Sequence, residues 1–287
     1  MDQFLDLPYV TPVEDERDRF REFDLYIPRR SGSPDNRPAP PVICFIHGGA
    51  WRSEDKADHS NLAQSLATYT GCPVAVPNYR LTPRSPASGE EVLRHPAHAE
   101  DVLRFLAFLL AWPGPTNHNG LQFDPSRLFL VGHSCSAHML AAILLDTPDT
   151  PSVTPTPELL QAVKGAIFSE GIYDIDLLLK SFPDYRDWFI ANAFGDRPSY
   201  ADVSVATLPH REGGAHIRYL IIHSKGDTLV DQPQSEAMYG HLVHLDGADT
   251  TQGRVVKNWG ELEEDHNDIL RGKEYVRIVG DFVLAVD

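Results

Sequence analysis

Cysteine is scarce in this sequence: Cys44, Cys72 and Cys135 are the three in 287 residues. An odd and sparse set excludes a disulfide-stapled scaffold and fits a reducing compartment. Basic residues are also short, with 25 Lys and Arg against 41 Asp and Glu and a net charge of −16. That excess argues against nucleic acid and anionic membrane as partners, and its simplest use is solubility. No apolar run approaches the ~20 residues of a membrane span. The first ten residues, MDQFLDLPYV, lack a basic region followed by an apolar core, so no signal peptide is expected and the cytoplasm is. Internal repeats and breaks in composition are missing as well. The expectation is therefore one domain over residues 1–287.

What is present is enough apolar material for a sizeable core, 42% of residues. Residues 23–27, 41–46, 74–76, 128–131, 166–168, 219–222 and 254–259 read as strands. Between them, 58–70, a segment around Val102, Phe105, Leu106 and Leu109, 137–145, 232–242 and 275–282 read as helices. Alternation of this kind predicts the α/β class, a mostly parallel sheet with helices on both faces. Residues 28–41 read as a mobile connection, 112–126 as a long loop, and 147–157, rich in Thr and Pro, as exposed. Short helical patterns with Phe182, Trp188, Phe189 and Phe194 suggest a small helical cap over about 174–210.

One stretch organises the rest: RLFLVGHSCSAHMLAAILL, residues 127–145. A buried strand runs into Gly132-His133-Ser134-Cys135-Ser136, and an apolar helix leaves it. So sharp a turn strains its central residue and displays the Ser134 hydroxyl at the helix N-terminus. This resembles the nucleophile elbow of the α/β hydrolases, with Ser136 where the last glycine usually stands.

A serine hydroxyl needs a base, and the base needs a carboxylate to orient it. On such a sheet these come in the order Ser, acid, His, at strand ends. Asp227, in Ser224-Lys225-Gly226-Asp227, is the preferred acid, and Asp231 stays open as a rival. His266 is the only histidine beyond position 244, so it is the expected base. The amide of Cys135 can donate to an oxyanion. So can amides of His47-Gly48-Gly49-Ala50-Trp51, where two glycines follow a buried strand. His133 is expected to pack rather than titrate. His95 and His98 are spaced like metal ligands, but no third ligand is near, so a surface helix is the expectation and no metal is. Trp51 and Tyr173 are candidates for an aryl-accepting pocket, although ordinary packing accounts for either one.

Together these residues resemble the α/β-hydrolase superfamily, in the branch of hormone-sensitive-lipase-like esterases and kynurenine formamidases. The Trp after the glycine pair, the His before the serine and His266-Asn267-Asp268 look most like fungal kynurenine formamidases. The resemblance implies the α/β-hydrolase fold and a serine hydrolase that cleaves an acyl or formyl C–N or C–O bond without a cofactor. It also implies Ser134 as nucleophile, Asp227 as orienter, His266 as base, and Gly49, Ala50 and Cys135 as oxyanion donors. The implied partner is a small, aromatic acyl or formyl substrate such as N-formylkynurenine. A carboxylesterase or thioesterase is the alternative, a non-catalytic binding protein is the weaker one, and a homodimer is compatible with the chain.

Overall fold

A computed structural model describes residues 1–11, 17–29, 38–84, 92–115, 123–247 and 253–286. Short runs rich in Val, Ile, Leu and Phe form its strands: β1 (Asp2–Pro8), β2 (Glu22–Ile27), β3 (Val42–Ile46), β4 (Val74–Pro77), β5 (Leu128–His133), β6 (Val163–Ser169), β7 (Arg218–Ile222) and β8 (Val255–Asn258). They make one sheet in the order β1-β2-β4-β3-β5-β6-β7-β8. β2 pairs antiparallel with β1 and β4, and every pairing from β4 to β8 is parallel. Parallel strands need crossovers, and helices supply most of them: α1 (Ser60–Thr70), α2 (Ala97–Ala111), α3 (Cys135–Leu144), α4 (Pro157–Ala162), α5 (Ile175–Ser181), α6 (Ala191–Phe194), α7 (Gln232–Asp246) and α8 (Lys273–Val286).

Alternate strand residues feed two cores, as a pleat requires. Ile43, Phe45, Phe129 and Val131 pack with Leu62 and Leu66 of α1 and Val279 and Phe282 of α8. Cys44, Ile46, Leu128 and Leu130 pack on the other face with Phe105 and Leu109 of α2 and Leu140 and Leu144 of α3. Buried on both faces, the central strands read as continuous apolar runs. Register then aligns their ends. Ile46 lies opposite Gly132, Gly132 opposite Phe168, and Phe168 opposite Ile221. The loops leaving β3, β5, β6 and β7 therefore emerge level with one another at one edge.

Between β6 and β7 the chain leaves the sheet through α5, a π-helical turn at Arg186–Ile190, and α6. This excursion touches the loop after β3, where Phe194 meets the ring of Trp51 at 4.9 Å. It also receives a hydrogen bond from His138 of α3, whose Nε2 donates to the Val203 carbonyl at 2.7 Å.

Two expectations need correction, and one strand went unread. β1 was not legible, because this edge strand buries little and pairs on one side only. Residues 147–157 are not simply exposed, since Val153 is fully buried. His95 and His98 are not on a surface helix: His98 is fully buried, with Nε2 2.9 Å from the Thr82 hydroxyl. Residues 30–37 of the expected mobile connection and 116–122 of the expected long loop lie outside the described residues.

Strand and helix approach closely at the elbow. A Cβ on Gly132 would stand 2.9 Å from the backbone of Ala137. Gly132→Ala is expected to destabilise the fold by about 1–3 kcal/mol through overpacking. A melting temperature unchanged by that substitution would contradict so close an approach.

Candidate active site

Ser134 sits at φ 58°, ψ −126°, a backbone conformation that L residues rarely adopt. The surroundings hold it there. Its amide donates to the Ser169 carbonyl at 2.8 Å, and its carbonyl accepts from Ala137 at 3.1 Å. Ser136, the departure from the usual glycine, has a use. Its hydroxyl donates toward the Ile46 carbonyl at 2.6 Å and accepts from the His133 amide at 2.7 Å. The elbow is thereby tied to β3, a link that glycine could not make.

The loop after β3 turns through three left-handed residues in a row, Gly49 at φ 93°, Ala50 at 52° and Trp51 at 58°. Gly49 cannot carry a side chain, because a Cβ there would lie 2.2 Å from the Ser53 carbonyl oxygen. Two unanticipated groups fix the loop. The Tyr79 hydroxyl, donating one hydrogen, lies 2.7 Å from the Gly48 carbonyl and 3.1 Å from that of His47. The Trp51 amide donates to the Cys135 thiol at 3.3 Å. Burial pushes that thiol up to about 12, so Cys135 serves as an anchor and not as a nucleophile.

Asp227 and His266 meet: Nδ1 of His266 lies 2.8 Å from Oδ2 of Asp227. Oδ1 of Asp227 accepts from the Leu229 and Val230 amides at 2.8 and 2.9 Å. Burial would raise the Asp227 carboxyl, but hydrogen bonds with His266 and Glu170 outweigh it and hold the group well below the usual carboxylate range. The rival Asp231 is engaged elsewhere, accepting from the Ser181 hydroxyl. The acid turn and the base loop pack backbone to backbone, since a Cβ on Gly226 would stand 2.1 Å from the Glu263 carbonyl oxygen. Asp265 adds a bridge, accepting from the His266 amide at 2.8 Å and from the Thr228 hydroxyl at 2.8 Å.

The base loop also reaches the elbow. The His266 ring lies 4.7 Å from that of His133, the residue before Ser134. His133 Nε2 stands 3.2 Å from Oδ1 of Asn267. His133 packs, as expected, and is fully buried.

Trp51 is fully buried, with His138 at 5.6 Å and Phe194 at 4.9 Å edge to face. Tyr173 is also fully buried, and its ring packs on Phe168 at 6.1 Å. His47, Glu54 and His59 bring three potential ligand atoms within 4.8 Å of one another. His59 and Glu54 are already hydrogen-bonded at 3.0 Å and His47 Nδ1 faces the Gly48 carbonyl at 3.1 Å, so we assign no metal there.

Among the described residues burial lowers seven imidazoles, including His47 to about 4, His98 to about 3, His133 to about 3 and His138 to about 4. Each binds a proton less readily folded than unfolded. Their contribution to stability is complete above pH ~6.5 and is lost as pH falls toward those values. Unfolding free energy is expected to fall between pH 6.5 and 4 by on the order of 1 kcal/mol per pH unit for each group, and the melting temperature with it. A melting temperature independent of pH over that range would contradict neutral burial of these rings.

Among the described residues, no helix is long and apolar enough to cross a membrane. A family profile described as the alpha/beta hydrolase fold matches residues 43–243. A kynurenine formamidase-like hydrolase of Fusarium equiseti, fscH, is 28% identical over 92% of this chain and 89% of its own length. The kynurenine formamidase of Scheffersomyces stipitis is 27% identical over 78% of this chain and 84% of its own. Among solved structures, carboxyl esterase 2 from the mycorrhizal fungus Tuber melanosporum superposes with a TM-score of 0.68 at 19% identity, covering 100% of this chain and 88% of its own. The profile spans well over half of the sequence, and the protein belongs to the alpha/beta hydrolase fold family.

Proposed function

We propose that the protein is a serine hydrolase, a formamidase or esterase, that cleaves a small acyl or formyl substrate through an acyl-enzyme. The observation that carries this reading is the 2.8 Å contact of Asp227 with His266, on a loop whose imidazole lies 4.7 Å from the ring preceding Ser134. Asp227 holds the His266 tautomer that has its proton on Nδ1, leaving Nε2 free to accept. Ser134 then attacks the carbonyl or formyl carbon while His266 takes the hydroxyl proton. The amides of Gly49, Ala50 and Cys135 receive the developing oxyanion. His266 returns the proton to the leaving amine or alcohol, and water attacks the acyl-enzyme along the same path. Residues 174–210 act as a cap within a single domain, and the three free cysteines favour the cytoplasm.

A kynurenine formamidase-like substrate, an aryl formamide with an amino-acid carboxylate, is the preferred choice. Trp51, Phe189 and Phe194 supply an aromatic wall between the elbow and the cap. Arg52 follows that wall, donates to the Trp188 carbonyl on the cap and lies close enough to Arg84 for the two guanidinium charges to interact. Two cations side by side suit a carboxylate. The test is a comparison of kcat/KM for N-formylkynurenine with that for p-nitrophenyl and thioester substrates of short acyl chains. A clear preference for the formamide supports the formamidase reading. A preference for the esters or thioesters replaces it with the esterase or thioesterase reading.

A further inference from the structure

Glu170 is a buried acid that the triad leaves unexplained. It follows the last residue of β6 and sits at φ 49°, with its side chain fully buried. Oε1 accepts from the Ser224 amide at 2.7 Å. Among the described residues no donor is directed at Oε2, although His223 Nδ1 stands 3.2 Å away. The polar atoms of Glu170, His223 and Asp227 lie within 4.8 Å of one another. Two ionised carboxylates this close and this deep would be opposed twice, by lost hydration and by mutual repulsion. A proton on Oε2 removes both penalties. The orphaned acceptor becomes a donor, and Asp227 is the acceptor within reach.

We propose that Glu170 is a positioning residue that remains a neutral carboxylic acid and donates from Oε2 to the Asp227 carboxylate, steadying it against His266. This rests on the Ser134–Asp227–His266 reading. The titratable groups facing Glu170 are Asp227 and His223 on the turn after β7, Asp265 on the base loop, Tyr173 beyond β6 and Tyr275 on α8. None of these is a lysine or arginine, so among the described residues no fixed cation is recorded holding Glu170 ionised. Burial, then the Asp227 hydrogen bond and charge, push its carboxyl up to about 11. Burial lowers His223, the one potential cation, whose Nδ1 also meets the Ser235 hydroxyl at 3.1 Å. The Glu170 proton does not move during turnover. It fixes the plane of the Asp227 carboxylate, whose other oxygen contacts are the Leu229 and Val230 amides and His266.

The test compares wild type, Glu170→Gln and Glu170→Ala by the rate of fluorophosphonate labelling from pH 5 to 9 and by melting temperature against pH. Glutamine donates from the same place and still accepts from Ser224. Glu170→Gln is expected to label within about threefold of wild type with an unshifted acid limb, whereas Glu170→Ala labels about 10–100-fold more slowly. Wild type must take up a proton on folding above the carboxylate range, and the glutamine need not. Glu170→Gln should therefore melt higher than wild type at pH 8, and the gap should close toward pH ~4.5.

An ionised Glu170 gives the opposite pattern and would overturn the proposal. Glu170→Gln would then move the acid limb down by about half a pH unit or more, through loss of a negative charge beside the base, and would melt lower at pH 8. Unchanged labelling of a folded Glu170→Ala would also overturn it. If Glu170→Ala fails to fold, the glutamine variant decides alone. Ser134→Ala separates the two failures. Labelling that survives Ser134→Ala sinks the triad reading itself. Labelling that Ser134→Ala abolishes, with glutamine behaving as a lost charge, sinks only the role of Glu170.

Discussion

Ser134→Ala is expected to lower kcat by on the order of 10⁶-fold, with the fold and substrate affinity retained. The physical reason is local. The Ser134 hydroxyl is the atom that the elbow displays at the N-terminus of α3. Alanine keeps the Cβ, the amide bond to Ser169 and the strained φ of 58°. It removes only Oγ, so the melting temperature should move little. Residual hydrolysis would come from binding and the oxyanion donors acting on water. Steady-state rates and melting curves on the same preparation check both halves. Near-normal turnover in a folded Ser134→Ala protein would contradict Ser134 as nucleophile.

Asp227→Asn is expected to cost about 10³–10⁴ in kcat at neutral pH, because it selects the wrong tautomer. The arrangement around Asp227 dictates the direction. Oδ1 accepts from two amides, those of Leu229 and Val230, at 2.8 and 2.9 Å. An asparagine must leave its oxygen on those donors, which turns its NH₂ toward His266 Nδ1. That imidazole nitrogen must then accept, its proton shifts to Nε2, and the ring can no longer take the proton of Ser134. Substrate binding does not use this contact, so KM should hardly change. A kcat within about tenfold of wild type would mean that the Asp227–His266 pair does not orient the base.

The fold was legible because its strands are buried on both faces. PVICFI and RLFLV leave little choice of environment, and the helices between them force parallel pairing. The site was legible for the same reason. Parallel strands deliver the residues that follow them to one edge, so a serine after β5, an acid after β7 and a histidine after β8 are brought to the same rim. What the sequence hid depends on contacts between distant segments. Ser136 looked like a defect in the elbow, and its hydroxyl proves to bond the Ile46 carbonyl 90 positions away in sequence. Nothing in the sequence around Glu170 marks its carboxyl as buried against Asp227. His98 lies near a helix start between two small alanines, and only its packing under Thr82 and Tyr79 takes it inside. β1 pairs at the sheet margin through its backbone, which leaves a weak pattern in the side chains.

Peptide mapping of the protein after reaction with a fluorophosphonate tests the central claim most directly. The account predicts one adduct per chain, on Ser134, absent from Ser134→Ala and formed far more slowly in His266→Ala. An intact chain that takes no adduct, or takes it at another residue regardless of these substitutions, would contradict it.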